Sequence, residues 1–176
     1  QKKVAAALFI ALIVIGVVVT PLAQLALPAL PGFLTAFGSA MVVSNLLLAA
    51  LLFSRGATER RASTIVLGSA YFFVGLIFVP LMMAFPDALA PGSLIGSRVS
   101  PLWLWSFWHA VFGLAILRYA HAQRRARKPP RVRHELAAHV LLVLALAWLG
   151  TAGMNWLPPV MTEGGRFFTG AQQLIP

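Results

Sequence analysis

The chain is 176 residues long; 60% of them are apolar, only 10% are charged, and the mean hydropathy is +0.85. A soluble domain carries about 25% charged residues, so a water-exposed globule is excluded, and the absence of cysteine excludes disulfides, thiolate nucleophiles and thiolate-bound metals. Fourteen basic residues against four acidic ones give a net charge of +10, and the placement of those cations becomes the next question.

Val4 to Ser54 is 51 residues without a charge, broken near the middle by Pro21, Pro28, Pro31 and Gly32. A bilayer-spanning helix needs about 20 apolar residues, so this run predicts two helices, over residues 4–25 and 33–53. Lys2 and Lys3 ahead of an apolar run also have the outline of a secretory signal; we read the segment as a retained span. Later uncharged runs predict helices over 63–85, 101–121 and 135–157, with Pro80 expected to kink or end the third. Alternation of period two is absent, and lipid admits only helices or closed barrels. The expected fold is therefore all-α: one integral-membrane domain over residues 1–176, a polytopic bundle of five transmembrane helices. In the second helix, Ala36, Ala40 and Ser44 recur every four residues, a spacing that lets helices approach, and Ser44 and Asn45 are expected to hydrogen-bond across the bundle.

Cations mark the cytoplasmic side. Lys2, Lys3, Arg55, Arg60, Arg61, Arg118, Arg124, Arg125, Arg127, Lys128, Arg131 and Arg133 fall on one side of a five-span chain, and only Arg98 and Arg166 on the other. This predicts a cytoplasmic N-terminus in a multi-pass protein of the bacterial inner membrane, with residues 158–176 outside. A cytoplasmic effector would then need a further span after Pro176, so the chain is expected to be part of a longer one. The Arg124–Arg133 segment lacks the aromatics that stack on bases, which argues against nucleic acid. Juxtamembrane cations each gain about 1 kcal/mol from anionic lipid, the expected partner here.

Catalytic chemistry finds no footing. His134-Glu135-Leu136-Ala137-Ala138-His139 resembles a zinc-protease motif only superficially, because histidines five apart point to different faces of a helix whereas the motif needs them four apart. Asp87 and Glu163 fall on one side of the membrane and Glu59 and Glu135 on the other, so no carboxylate pair forms. His109 stands out, since an ionisable residue inside a span is costly and usually faces the bundle interior. Trp105, Phe112 and Ile116 share its helical face. The readings are a sensory pocket, an axial ligand to haem or another pigment, or a structural hydrogen bond to a neighbouring helix. His139 enters from the opposite side, too far along the membrane normal for both rings to ligate one iron, and is expected with His121 to be solvated at the rim. Pro80, Phe85, Trp105, Trp108, His109, Phe112, Asn155 and Trp156 delimit the expected ligand pocket; no metal site is expected.

From Asn45 to Ala120 the chain resembles the fourth class of membrane-associated sensor (MASE) domains of bacterial signalling proteins. The resemblance is carried by Leu51-Leu52-Phe53, Gly68-Ser69-Ala70-Tyr71-Phe72-Phe73, Phe85-Pro86, Pro91-Gly92-Ser93-Leu94-Ile95-Gly96, Trp103-Leu104-Trp105-Ser106-Phe107-Trp108-His109, Phe112 and Tyr119-Ala120. It departs from that class at Leu81, Asp87, Asn45 and Gly113, where histidine, glycine, aspartate and proline are frequent. The resemblance implies a non-catalytic sensory input module controlling a cytoplasmic output, a diguanylate cyclase making cyclic di-GMP or a histidine kinase, and with a cyclase a homodimer. The rival reading is an accessory or assembly subunit of a larger membrane complex, with His109 binding pigment or haem, or nothing. A transporter is weaker, because inverted halves are lacking.

Overall fold

A computed structural model describes residues 2–21, 32–124 and 128–158. Its five α-helices are α1 (Lys2–Val19), α2 (Phe33–Thr58), α3 (Ala62–Ala84), α4 (Ser100–Arg124) and α5 (Val132–Gly150), followed by a single 3-10 turn, Met154–Trp156. There is no strand among the described residues. Helices α2 to α5 are each long and apolar enough to cross a membrane, while the apolar part of α1, Ala7–Val19, is shorter. Helix α1 belongs to a unit of its own, Gln1–Pro31. It exposes Leu8, Phe9, Leu12, Ile13 and Val17 alike, an all-round apolar surface suited to lipid. The expected extension of α1 to residue 25 lies outside the described residues.

In the unit that begins at Gly32, α3 is the central helix and touches α2, α4 and α5. Small residues make this possible. A Cβ on Gly75 would stand 2.8 Å from Leu46 Cδ2, and one on Gly68 would stand 3.1 Å from Phe53 Cδ1. From the α2 side, a Cβ on Gly56 would stand 2.7 Å from Ile65 Cγ1. The α2 seam consists of Gly38, Val42, Leu46, Ala49, Phe53 and Gly56, spaced three or four apart, so one stripe of α2 lies along α3. Buried Phe73, Val74, Ile77, Phe78 and Leu81 of α3 join Leu104 of α4 and Val143 of α5 in the main core, and Ala49, Phe53 and Ile65 form a second cluster.

Several expectations need correction. The stripe Ala36, Ala40, Ser44 is exposed; the close approach is made by glycines on the other face of α2. Ser44 Oγ donates to Ala40 O at 2.5 Å and Asn45 Nδ2 to Met41 O at 2.7 Å. Both side chains are thus satisfied on the preceding turn of their own helix, which removes the need for a bond across the bundle. Pro80 does not end α3, which runs on for another turn to Ala84, as membrane helices can when neighbours support them; of the two expected effects only the ending is overturned. Helix α2 continues past residue 53 to Thr58, where Arg55 and Glu59 pair one turn apart at 2.7 Å. Helix α5 stops at Gly150, short of residue 157. Beyond it the chain folds back so tightly that Gly153 N donates to Trp148 O at 2.8 Å, leaving 2.9 Å between a Cβ at Gly153 and the Trp148 ring.

Overpacking a tight helix crossing costs about 1–3 kcal/mol, so Gly75→Leu is expected to lower the thermal midpoint followed by circular dichroism in detergent. A Cβ on Gly113 meets nothing within 4 Å, so Gly113→Ala should leave the midpoint unchanged or raise it through a helix-propensity gain of up to about 1 kcal/mol. Equal midpoints for both variants would remove the close α2–α3 seam.

Candidate functional site

The connection from α3 to α4 is held by its own hydrogen bonds. Asp87 takes a left-handed backbone, φ 59°, at a position where the resemblance has glycine. Its carboxylate compensates by accepting from Gly92 N at 2.9 Å, while Asp87 N donates to Gly92 O at 3.1 Å. Leu94 N and Ile95 N both donate to Met83 O, at 2.9 and 3.3 Å, which covers the end of α3. Thr35 Oγ1 of α2 donates to Ala88 O. At the start of α4, Ser100 is fully buried, and its Oγ accepts from Ser97 N at 2.9 Å.

This framework fixes a cavity of about 310 Å³ between the start of α2, the end of α3 and the start of α4. Its wall includes Phe37 from α2, Phe78 and Leu81 from α3, Phe85, and Trp105, Trp108 and His109 from α4. The His109 ring lies between two indoles, with centroids 3.8 Å from Trp105 and 4.0 Å from Trp108. Its Nδ1–H donates to Trp105 O at 2.8 Å; a carbonyl can only accept, so the neutral ring keeps its lone pair on Nε2. The bond stays within α4, in place of the expected structural contact with a neighbouring helix. Trp108 packs edge-on against Phe78 at 5.1 Å, and its Nε1–H is buried with no acceptor among the described residues. The cavity thus has aromatic walls, and Trp108, one of its lining residues, keeps its Nε1–H out of contact with solvent and without an acceptor.

Of the residues expected at this pocket, Phe85, Trp105, Trp108 and His109 stand together in the wall, and Pro80, Phe112, Asn155 and Trp156 are not among its lining residues. Phe112 faces Tyr71 instead, with ring centroids 5.9 Å apart. Trp156 is 82% exposed because the early end of α5 carries it, with Asn155, onto the 3-10 turn. Leu81, where the resemblance has histidine, lies in the wall. Among the described residues no three His, Cys, Asp or Glu side chains converge in a way that could hold a metal.

A second polar cluster ties α3, α4 and α5 together at the opposite end. Glu135 is buried and accepts a two-pronged bond from Arg118, Nη1 to Oε2 at 2.9 Å and Nη2 to Oε1 at 2.5 Å. Ser69 Oγ lies 3.0 Å from Glu135 Oε2. His139, expected to be solvated, is buried against Phe73, and its Nδ1–H donates to Glu135 O at 2.8 Å. Paired guanidinium and carboxylate planes match in geometry, so the ion pair can replace the water that both charges expect. From the sequence, Glu135 is placed only on the same side of the membrane as Glu59, with no partner. The available signal was that Arg118 directly follows the uncharged run 99–117 and Glu135 opens the next one, and ionisable residues near a span pair with one another.

The family model of the membrane-associated sensor integral membrane domain, MASE4, matches residues 28–174. The chain belongs to the MASE4 family. It is thus a multi-pass integral membrane sensor domain whose helices contact the bilayer, and both the aromatic cavity and the Arg118–Glu135 cluster fall inside the matched MASE4 region. No curated protein and no solved structure matches the chain.

In this MASE4 domain the two partners of the ion pair differ in exposure, with side-chain values of 49% for Arg118 and 9% for Glu135. Arg118→Ala strands a buried carboxylate and is expected to cost about 3–5 kcal/mol. Glu135→Ala leaves a guanidinium that can turn to water or lipid headgroups and should cost less. The double variant should recover part of the Arg118→Ala loss, as read from a double-mutant cycle of unfolding in detergent. Additive losses would dissolve the pair.

Proposed function

We propose that this MASE4 domain is the sensory input module of a bacterial signalling protein in the inner membrane, and that the aromatic cavity is its ligand site. The observation that carries this reading is the cavity itself, walled by Phe78, Phe85, Trp105, Trp108 and His109, since mostly apolar and aromatic walls with a few polar groups are what small-ligand sites share. A cavity of about 310 Å³ is at the small end of ligand sites, which run from roughly 300 to 1,000 Å³. The fitting ligand class is a small apolar or aromatic ring compound that packs against these rings.

The excess of cations around Arg55–Arg61 and Arg124–Arg133 argues that the Arg118–Glu135 end faces the cytoplasm, where anionic lipid attracts the basic segment. The cavity then lies in the outer half. A ligand wedged between α2, α3 and α4 favours one seating of α4 on α3. Arg118, nine residues beyond His109 and so about 13 Å further along the helix, carries the shift to Glu135 of α5. This is a two-state bias by differential binding. The output is a cyclase making cyclic di-GMP, which requires two copies facing each other, or a histidine kinase, as the resemblance implies.

1-Naphthol is a suitable probe, because its fused rings match the aromatic walls. Tryptophan emission of the purified protein should be quenched saturably on titration. His109→Ala and Trp105→Ala should each weaken the affinity by about five- to tenfold, the scale of one lost ring contact, and Trp156→Phe should not. A linear quench, or one indifferent to both cavity variants, would remove the ligand site.

A further inference from the structure

The turn from α2 to α3 carries four charges in seven residues: Arg55, Glu59, Arg60 and Arg61. Its one carboxylate is already engaged. Glu59 Oε1 lies 2.7 Å from Arg55 Nε, and Oε2 lies 3.8 Å from Arg61 Nη1. Arg60, between them, has a left-handed backbone at φ 51°, the bend that lets only three residues separate α2 from α3. This hairpin is tight because Gly56 accepts from Arg61 N at 3.0 Å and presents no side chain to Ile65.

Beside the hairpin is a second cavity, of about 440 Å³, separate from the aromatic one. Arg60 lines it from the α2–α3 side and Lys128 from the α4–α5 connection, with Ile65, Pro129, Pro130 and Val132 supplying apolar wall. Among the described residues neither Arg60 nor Lys128 meets a carboxylate. Val132 is the first residue of α5, whose N-cap Arg131 adds a third cation beside the cavity and offers no side-chain cap, while Glu135 of the same first turn is engaged by Arg118. Arg60 and Lys128, both exposed, thus border one cavity with no carboxylate among the described residues beside either.

We propose that this cavity binds the phosphate of an anionic phospholipid headgroup. The class follows from the lining, since phosphate oxygens accept from Arg60 and Lys128 together, and Ile65, Val132 and the two prolines suit glycerol and the first acyl carbons. The source follows from position. The cavity lies where α2 ends and α3 and α5 begin, level with the edge of the apolar spans, where basic pockets between helices take up lipid headgroups. Free inorganic phosphate would share the two cations but gain nothing from the apolar wall. The site goes beyond the sensory reading and needs only that these helices cross a bilayer.

Native mass spectrometry of the delipidated protein, titrated in detergent with phosphatidylglycerol or phosphatidylcholine, tests it. The unaltered chain should retain phosphatidylglycerol preferentially. Lys128→Gln, in a connecting segment on which no helix depends, should weaken that retention about fivefold, and Arg60→Asn with Lys128→Gln about 30-fold, at about fivefold per juxtamembrane cation; asparagine tolerates the left-handed backbone. Arg133→Gln, nearby but outside the cavity, should change it little. Equal retention of the two lipids, or an Arg133→Gln loss as large as that of Lys128→Gln, would overturn the cavity as a site in favour of diffuse attraction. Displacement of the lipid by millimolar inorganic phosphate would overturn the lipid as its occupant. None of these readouts involves the aromatic cavity, so failure here leaves the naphthol experiment untouched.

Discussion

Hydrocarbon around a helix bundle is as apolar as the helices themselves, so burial of leucine and valine cannot by itself hold membrane helices together. What remains is close fit, and in this protein the fit is concentrated on α3. Fourteen of its 23 residues are buried, against three of 25 in α4, although both helices are apolar enough to span. The difference is residue size. Gly68, Ser69, Ala70 and Gly75 let neighbouring helices reach the α3 backbone, and Phe73, Ile77 and Phe78 then fill the space between α4 and α5. Each polar feature with a functional reading is built against this helix: Phe78 and Leu81 wall the aromatic cavity, Ser69 and Phe73 receive the Glu135–His139 pair, and Ile65 lines the basic cavity.

The buried carboxylate of Glu135 has a logic of its own. Stripping water from a carboxylate costs several kcal/mol unless donors replace it, and here Arg118 contributes two and Ser69 a third. Such pairs add little net stability over apolar residues of the same shape, but they are selective. A rotation of α4 or α5 that misaligned the two planes would leave the carboxylate short of donors, whereas leucine-to-leucine contacts would merely slide. The cluster therefore defines the relative setting of three helices more sharply than the surrounding core can.

Much of this was legible from the chain alone. Charges and prolines delimit the spans because lipid expels them, so the order of helices α2 to α5 follows from composition. Trp105, Trp108 and His109 fall together because they lie on consecutive turns or adjacent positions of one helix, and Phe85 joins them through a short connection. Other features depend on which faces meet, and period alone does not say. All four faces of α2 are apolar, so the stripe Ala36, Ala40, Ser44 looked like a seam, yet Gly38, Leu46, Ala49 and Gly56 make it. Asn155 and Trp156 left the expected pocket because helix α5 ends at Gly150, a boundary that an uncharged run does not mark. His139 reads as solvated when its depth is counted along α5 alone, while its burial comes from a neighbouring helix through Phe73.

A rigid connection between the two ends of the bundle is a consequence of these details. Helix α4 carries Trp105, Trp108 and His109 near its start and Arg118 near its end, with no proline after Pro101 and one glycine, Gly113, between the two groups. A Cβ at Gly113 would meet nothing within 4 Å, so no neighbouring residue presses on the helix there. Along this interval α4 is held by Phe78 against Trp108 and by Tyr71 against Phe112, edge-to-face ring contacts that tolerate small tilts better than interlocked methyl groups do. On the proposed reading, α4, held by aromatic edges in the middle and by a two-pronged ion pair at one end, would pass a displacement at its aromatic end to Arg118 as a change of angle. Since Glu135 has no donor outside Arg118 and Ser69 among the described side chains, that change of angle must be followed by α5 or paid in broken hydrogen bonds.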